Sequence, residues 1–230
     1  MNYWLIMPAA GTGKRFGADK PKQYLALGQK TVMQCTVDRL TQLSQIQQVI
    51  IPIHPQDNFV HQLAFQQPEK IRFVMGGAER SDSVLAGLRA IQTQAHAQDW
   101  VLVHDVARPC VRLSDIQRLF EQLAHDEVGG ILANQVRDTI KQGTAEQKIS
   151  HTVPRQQLWQ ALTPQMFRFE LLFKALMQAQ QQGLQVTDEA SAIELLGYQP
   201  RLIAGAYDNL KITYFEDLAL AEYLLDRQKI

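Results

Sequence analysis

Cysteine is almost absent from this sequence: Cys35 and Cys110 are the only two among 230 residues, and no CxxC pair occurs. This argues against a disulfide scaffold and a structural zinc site, and it is typical of a reducing compartment, so we expect a cytoplasmic protein. Apolar runs are short, and none approaches the roughly 20 residues that a membrane-spanning helix needs. The opening MNYWLIMPAAG lacks the basic start and the longer apolar core of a secretion signal.

Net charge is absent as well, because 23 Lys and Arg balance 23 Asp and Glu. A neutral chain has no global field that attracts nucleic acids or anionic membranes, so we expect neither as a partner. A local basic cleft for a small phosphorylated ligand remains compatible with this balance. With 46% hydrophobic and 20% charged residues the chain can build a core, and no linker-like segment divides it, so we expect one domain over residues 1–230.

Short apolar runs alternate with amphipathic segments through the first 136 residues. This alternation predicts an α/β fold with an open, twisted, mostly parallel sheet of the Rossmann-like type and helices on both faces. The predicted strands are 3–9, 48–53, 70–75, 100–104 and 130–136. The predicted helices are 31–43 (capped by Thr31), 58–65, 81–93 and 115–124 (capped by Ser114).

The alternation breaks at residues 137–155, where two alternating segments flank a polar turn. They predict a β-hairpin arm that leaves the sheet. Because a lone hairpin is unstable in water, we expect it to pack on a second subunit and form a homodimer. Beyond it the pattern predicts helices at 167–182, 188–196 and 215–226 and strands at 200–204 and 209–213.

A glycine-rich, cationic loop follows the first strand and reads PAAGTGKRFGADKPKQ. Ligands of open α/β sheets bind at this edge, and Gly11 and Gly13 allow backbone N–H groups to approach an anion. The four cations are Lys14, Arg15, Lys20 and Lys22. The loop matches neither a P-loop nor the GxGxxG dinucleotide motif, since Phe16 stands at the second glycine of the first motif and at the third glycine of the other.

Three further segments carry polar groups at predicted loops. In HDVARPC, Asp105 follows a strand and is placed to hold Mg²⁺, Arg108 could contact a phosphate, and His104 and Cys110 are interpreted as packing residues. In GGAERSDS the backbone of Gly77 and Ala78 with the Ser83 hydroxyl could form a floor for a base, although Ser81 and Asp82 also explain a helix start. In DNLKIT, Lys211 lies within a predicted apolar strand, where a charge is unfavourable unless it has a function.

The chain resembles the 2-C-methyl-D-erythritol 4-phosphate cytidylyltransferase family over nearly its whole length. The motifs that carry the resemblance are PAAGTGKRFGADKPKQY, GGAERSDSVLAGL, LVHDVARP, RDT, TVPR, LTPQMF, VTDEASA and DNLKIT. The family more often reads HDAARP where this chain has Val106, and some relatives have Asp where it has Ala78. The resemblance implies Mg²⁺-dependent transfer of CMP from CTP to a polyol phosphate in non-mevalonate isoprenoid biosynthesis.

The resemblance also implies residue roles. Arg15 and Lys22 would be catalytic and stabilise charge at the α-phosphate of CTP. The nucleotide would lie against Ala9, Ala10, Gly11, Thr12 and Gly13 of the first loop and against Gly77, Ala78 and Ser83. Asp105 would place Mg²⁺ and substrate, and the polyol phosphate would contact Arg108, Thr139, Arg155, Lys211, Thr163 and Thr187. Thr139 and Arg155 lie on the arm and would serve the site of the partner subunit.

Three alternatives stay open at this stage. A ribitol-5-phosphate cytidylyltransferase would share the nucleotide loop and differ in the polyol pocket. A nicotinamide oxidoreductase is disfavoured by Phe16 and by the absence of an acidic residue at the end of the second strand. A non-catalytic nucleotide sensor would bind CTP and release no pyrophosphate.

Overall fold

The computed structural model describes residues 1–11 and 20–228. Its strands are β1 (Tyr3–Ile6), β2 (Ala26–Leu27), β3 (Lys30–Thr31), β4 (Ile46–Ile53), β5 (Ile71–Met75), β6 (Trp100–Val103), β7 (Gly129–Gln135), β8 (Ile140–Gly143), β9 (Ile149–Val153), β10 (Trp159–Arg168) and β11 (Arg201–Ala204). Its helices are α1 (Val32–Leu40), α2 (Arg80–Ile91), α3 (Leu113–Leu123), α4 (Phe169–Gln181), α5 (Glu189–Leu195) and α6 (Glu216–Arg227).

Seven strands form the central sheet in the order β11-β7-β10-β6-β1-β4-β5. All pairs are parallel except those of β10, which runs antiparallel between β6 and β7. The predicted α/β fold with an open, mostly parallel sheet is confirmed. We missed β10 because its alternation is interrupted by Pro164, a residue that is unusual inside a sheet.

Apolar side chains cover both faces of the sheet. In β1, Leu5 belongs to the core on the α1 and α3 face, whereas Trp4 and Ile6 belong to the core against α2, α4 and α5. Alternation along a strand sends successive side chains to opposite faces, so one short buried strand contributes to both cores. The predicted helices on both faces are therefore confirmed, and the edge where parallel strands end is left for polar groups.

The helix boundaries follow local capping, with three differences from the sequence predictions. Thr31 caps α1 as expected, with its hydroxyl accepting from the Gln34 N–H. However, α3 begins after Arg112 rather than Ser114, and α5 begins after Asp188 rather than at it, because Asp188 caps the helix by accepting from the Ser191 N–H. Likewise α2 begins at Arg80, one residue before the predicted start. Glu79 precedes it, and the Asp82 carboxylate accepts from the Glu79 N–H.

Two predicted elements are not formed. The predicted helix 58–65 is only a three-residue 3₁₀ turn, because Leu63 is extended and Gln34 holds the carbonyl of Ala64. The predicted strand 209–213 is irregular chain that lies against the loop after β6, where the Ile212 N–H donates to the Ala107 carbonyl. The hairpin β8–β9 forms as expected, pairs with no third strand in the described chain, and is almost entirely exposed.

No helix within residues 1–11 and 20–228 combines the length and apolar character that crossing a bilayer requires.

Candidate active site

A cleft of about 360 Å³ opens at the carboxyl edge of the sheet, beside the ends of β1, β5 and β6. Its lining includes the following predicted site residues: Ala9, Ala10, Gly11, Lys22, Gly77, Ala78, Ser83, Asp105 and Lys211. The tertiary structure thus brings together residues from four separated segments of the sequence. Thr12, Gly13 and Arg15 lie outside the described residues.

The two backbone walls of the cleft approach each other at Gly76. A Cβ atom placed on Gly76 would lie 2.6 Å from the Ala10 Cβ, closer than side-chain carbons approach each other. The Gly77 N–H donates to Ser83 Oγ at 3.1 Å, which fixes the turn before α2. The glycine pair therefore permits the first loop and the turn to form one narrow slot.

Gln23 holds the first loop in place, a role that the sequence did not reveal. Its buried amide donates to the carbonyls of Ala9 at 2.9 Å and Gly11 at 3.1 Å. The neighbouring Tyr24 donates its hydroxyl to Asp57 at 2.6 Å. Lys22, in the same 3₁₀ turn, donates to the Ile212 carbonyl at 2.8 Å, so its ammonium group is held where the loop meets the chain before α6.

Asp105 is the electrostatic centre of the cleft. Its carboxylate lies 3.0 Å from Arg80 Nε, 2.8 Å from Lys211 Nζ and 3.6 Å from Arg108 Nε. Burial acts to raise the pKa of Asp105, but these three cations outweigh burial and hold that pKa well below its usual range. Asp105 is therefore ionised at neutral pH and fixes Lys211, whose own side chain is 40% exposed in the cleft.

Arg108 and Thr163 support Asp105 rather than line the cleft. Arg108 donates to the Asn209 carbonyl at 2.7 Å, and Asn209 in turn donates to the Thr163 carbonyl at 2.8 Å. The Thr163 hydroxyl accepts from the Asp105 N–H at 3.2 Å. These bonds tie the chain on both sides of Asp105 to β10 and to the irregular segment that carries Lys211.

The remaining predicted residues lie elsewhere in this chain. Thr139 and Arg155 are exposed beside the arm, where Arg155 donates to the Arg137 carbonyl. Thr187 is exposed before α5 and its N–H donates to Ser191 Oγ at 3.1 Å. Sequence reasoning also missed Arg80, which lines the cleft, and the buried Glu189, which forms an ion pair with it. A charged residue opening each of two helices was their only signal.

His104 and Cys110 are fully buried, as expected of packing residues. His104 also has a polar role, because its Nδ1 lies 3.0 Å from the Thr163 hydroxyl and its Nε2 lies 3.1 Å from the Arg108 carbonyl. Burial lowers the pKa of His104 from 6.5 to about 4. A neutral ring with its proton on Nε2 satisfies both contacts, since the hydroxyl then donates to Nδ1.

We expect the ligand-free protein to lose about 3 kcal/mol of unfolding free energy as pH falls from 6.5 to 4 through His104. The folded pKa lies below the unfolded one, so the unfolded chain takes up the proton first and this contribution, complete above pH 6.5, disappears on acidification. Urea unfolding at several pH values checks this. His104→Asn should flatten that slope, whereas His151→Asn on the exposed arm should not; equal slopes in wild type and His104→Asn would contradict the assignment.

Fold and site together define an α/β protein with a cationic, glycine-walled cleft of the kind that accepts phosphorylated ligands. The model of the family described as "IspD: 2-C-methyl-D-erythritol 4-phosphate cytidylyltransferase" matches residues 3–227. The chain belongs to this family.

Individual relatives agree with the family match. A protein of Aliivibrio fischeri (strain MJ11) named 2-C-methyl-D-erythritol 4-phosphate cytidylyltransferase is 50% identical over 224 residues, which cover 97% of this chain and 94% of that protein. The crystal structure of the Francisella tularensis protein of the same name superposes with a TM-score of 0.85 at 34% identity, covering 97% and 100% of the two chains. A 4-diphosphocytidyl-2C-methyl-D-erythritol synthase structure gives 0.84 at 36% identity and 98% coverage of both chains.

Proposed function

We propose that this protein transfers CMP from CTP to 2-C-methyl-D-erythritol 4-phosphate, giving 4-diphosphocytidyl-2-C-methyl-D-erythritol and pyrophosphate for isoprenoid biosynthesis. The observation that carries the proposal is the family match over residues 3–227 together with the cleft that its motif residues line. The same cleft is unlike a dehydrogenase site, because His54 rather than an acidic residue follows β4.

The proposed reaction needs charge stabilisation rather than a general base. A phosphate monoester is largely dianionic at neutral pH, since its second pKa is about 6. One of its oxygens attacks the α-phosphorus of CTP, a new P–O bond forms, and the bond to the β-phosphate breaks to release pyrophosphate. Lys22 would bind the α-phosphate, and Lys211, held by Asp105, would bind the polyol phosphate. Both cations offset repulsion between two anionic reactants.

We propose Mg²⁺ as the metal, with Asp105 as its protein ligand. In the described chain no three His, Cys, Asp or Glu side chains form a metal-binding group. One carboxylate with phosphate oxygens and water is nevertheless a usual donor set for Mg²⁺, so the residues fit an ion that arrives with CTP. The ion would neutralise charge on the triphosphate, and Asp105 would share its oxygens between the ion and the neighbouring cations.

We also propose a homodimer in which the arm reaches the partner's cleft. Supporting this, β8 and β9 contact little else in their own chain and leave Ile149 68% exposed. Thr139 and Arg155, two of the polyol-binding residues that the resemblance implies, are not among the residues that line the cleft of their own chain. A partner's arm would complete the site.

Mixed dimers test the arm exchange. Lys22→Ala and Arg155→Ala each disable every site of their own homodimer, but a heterodimer keeps one intact site. Random association after co-expression should therefore restore about one quarter of wild-type activity. Activity no higher than that of either parent variant would show that each arm serves its own subunit.

The direct test of function is pyrophosphate release with Mg²⁺ and CTP. Parallel reactions contain 2-C-methyl-D-erythritol 4-phosphate, ribitol 5-phosphate or no acceptor. We expect release with the first acceptor alone. Pyrophosphate release with ribitol 5-phosphate instead would show that the polyol pocket binds that acceptor. Absence of release in every reaction would favour a nucleotide sensor.

A further inference from the structure

Glu189 is a buried carboxylate that lines no part of the cleft. It is the first residue of α5, and its side chain is 1% exposed. Both of its oxygens accept from Arg80, at 2.6 Å from Nη1 and 3.0 Å from Nη2. This bidentate ion pair joins the first residues of α2 and α5, which lie 109 positions apart in the sequence.

The position of Glu189 is fixed from the sheet. Gln165 of β10 accepts from the Ala190 N–H at 2.9 Å and donates to Asp188 at 2.8 Å. Asp188 in turn caps α5 through the Ser191 N–H. Because a buried strand residue holds both sides of Glu189, the carboxylate has a defined place against Arg80.

Arg80 connects this carboxylate to the cleft. Its two terminal nitrogens bind Glu189, and the remaining Nε donates to Asp105 Oδ1 at 3.0 Å. The other oxygen of Asp105 lies 2.8 Å from Lys211 and 3.6 Å from Arg108. A continuous chain of ion pairs thus runs from Glu189, outside the cleft, to the lysine that lines it.

Glu189 engages two of the three guanidinium nitrogens of Arg80 and leaves one for Asp105. Burial raises the pKa of Glu189, and the Arg80 guanidinium opposes that shift by stabilising the ionised form. Without that charge, the planar fork of Arg80 could turn and bind Asp105 through two nitrogens. Asp105 would then be drawn from Lys211 and Arg108. An ion pair with one buried partner is by itself a weak source of stability, so this orienting effect is its main consequence.

We propose that Glu189 is a positioning residue for the polyol-phosphate half of the site: it commits Arg80 to two bonds away from Asp105 and so leaves one Asp105 oxygen for Lys211 and Arg108. The inference rests on the proposed function, in which Lys211 binds the phosphorylated acceptor. It assigns Glu189 no contact with either substrate.

The experiment compares steady-state kinetics of wild type and Glu189→Gln with each substrate varied. The KM for 2-C-methyl-D-erythritol 4-phosphate should rise about tenfold, while the KM for CTP changes less than about twofold. The reason is that the variant weakens binding of the acceptor equally in the ground state and the transition state. A KM does not depend on the fraction of enzyme that is folded, so simple destabilisation cannot produce this selective change.

A double-mutant cycle then tests the route through Arg80. If Glu189 acts only through that side chain, adding Glu189→Gln to an Arg80→Met enzyme leaves the same KM at its Arg80→Met value. Asp38→Asn is the matched control, since Asp38 is 6% exposed and forms an ion pair with Lys30 at 2.6 Å. Neither residue lines the cleft. The melting temperature of this variant should fall, with both KM values unchanged.

Three results would overturn the inference in an active enzyme: unchanged KM values in Glu189→Gln, equal increases for both substrates, or additive effects of the Arg80 and Glu189 changes. Failure of the wild type to transfer CMP in the same assay would instead overturn the proposed function, and with it the role of Lys211.

Discussion

We expect Lys22→Ala to lower kcat by roughly 10²–10³-fold, the effect of removing one donor that stabilises developing charge. The structure makes this side chain hard to replace. Its 3₁₀ turn is anchored because Gln23 binds the first loop and Tyr24 binds Asp57. The backbone that carries the Lys22 side chain is therefore fixed beside the cleft. Lys22 is the only lysine of that three-residue turn. Because the charge develops at the transition state, we expect kcat to fall more than the KM for CTP rises.

Lys70→Ala provides the control for Lys22. Lys70 also donates to a backbone carbonyl at 2.8 Å, that of Thr41, but it does not line the cleft. Single-turnover and steady-state measurements should show wild-type rates for Lys70→Ala. A Lys22→Ala enzyme that turns over at the wild-type rate would remove Lys22 from the catalytic machinery.

Asp105→Asn should lower kcat/KM by about 10²-fold or more and the free energy of unfolding by about 3 kcal/mol. Three cations converge on this carboxylate, so its neutralisation leaves them facing one another in a partly buried site. Lys211 loses its ion-pair partner and is no longer held in the cleft. Urea unfolding and steady-state kinetics on the same preparation measure both losses.

Asp99→Asn separates the two effects. Asp99 and Asp105 flank β6 on opposite sides, and Asp99 is 2% exposed. Asp99 accepts from the Asn2 N–H and the Trp4 indole and forms no ion pair within residues 1–11 and 20–228. We expect Asp99→Asn to lose stability while keeping wild-type kcat and KM. If Asp105→Asn behaves in the same way, Asp105 is structural only.

Most residues that form the cleft could be predicted from sequence motifs. The glycine turn at Gly77, the loop at Gly11, Asp105 and Lys211 were all named from local composition, and the fold brings them to one cleft. Their convergence was predictable because parallel strands end at the same edge of a sheet. Gln23 could not be assigned a role from the sequence, since a glutamine gives no local sign of which carbonyls it will meet.

What the sequence determined by itself was therefore the set of local elements: the strand–helix alternation, the Thr31 cap, the arm at 137–155 and the family motifs. Each depends on residues a few positions apart, through periodicity, turn chemistry and capping. Only the tertiary structure decided that β10 enters the sheet antiparallel between β6 and β7, that residues 209–213 stay irregular, and that Glu189 binds Arg80. The physical reason is that hydrogen bonds and ion pairs between distant segments depend on how the layers pack, which no short window of sequence contains.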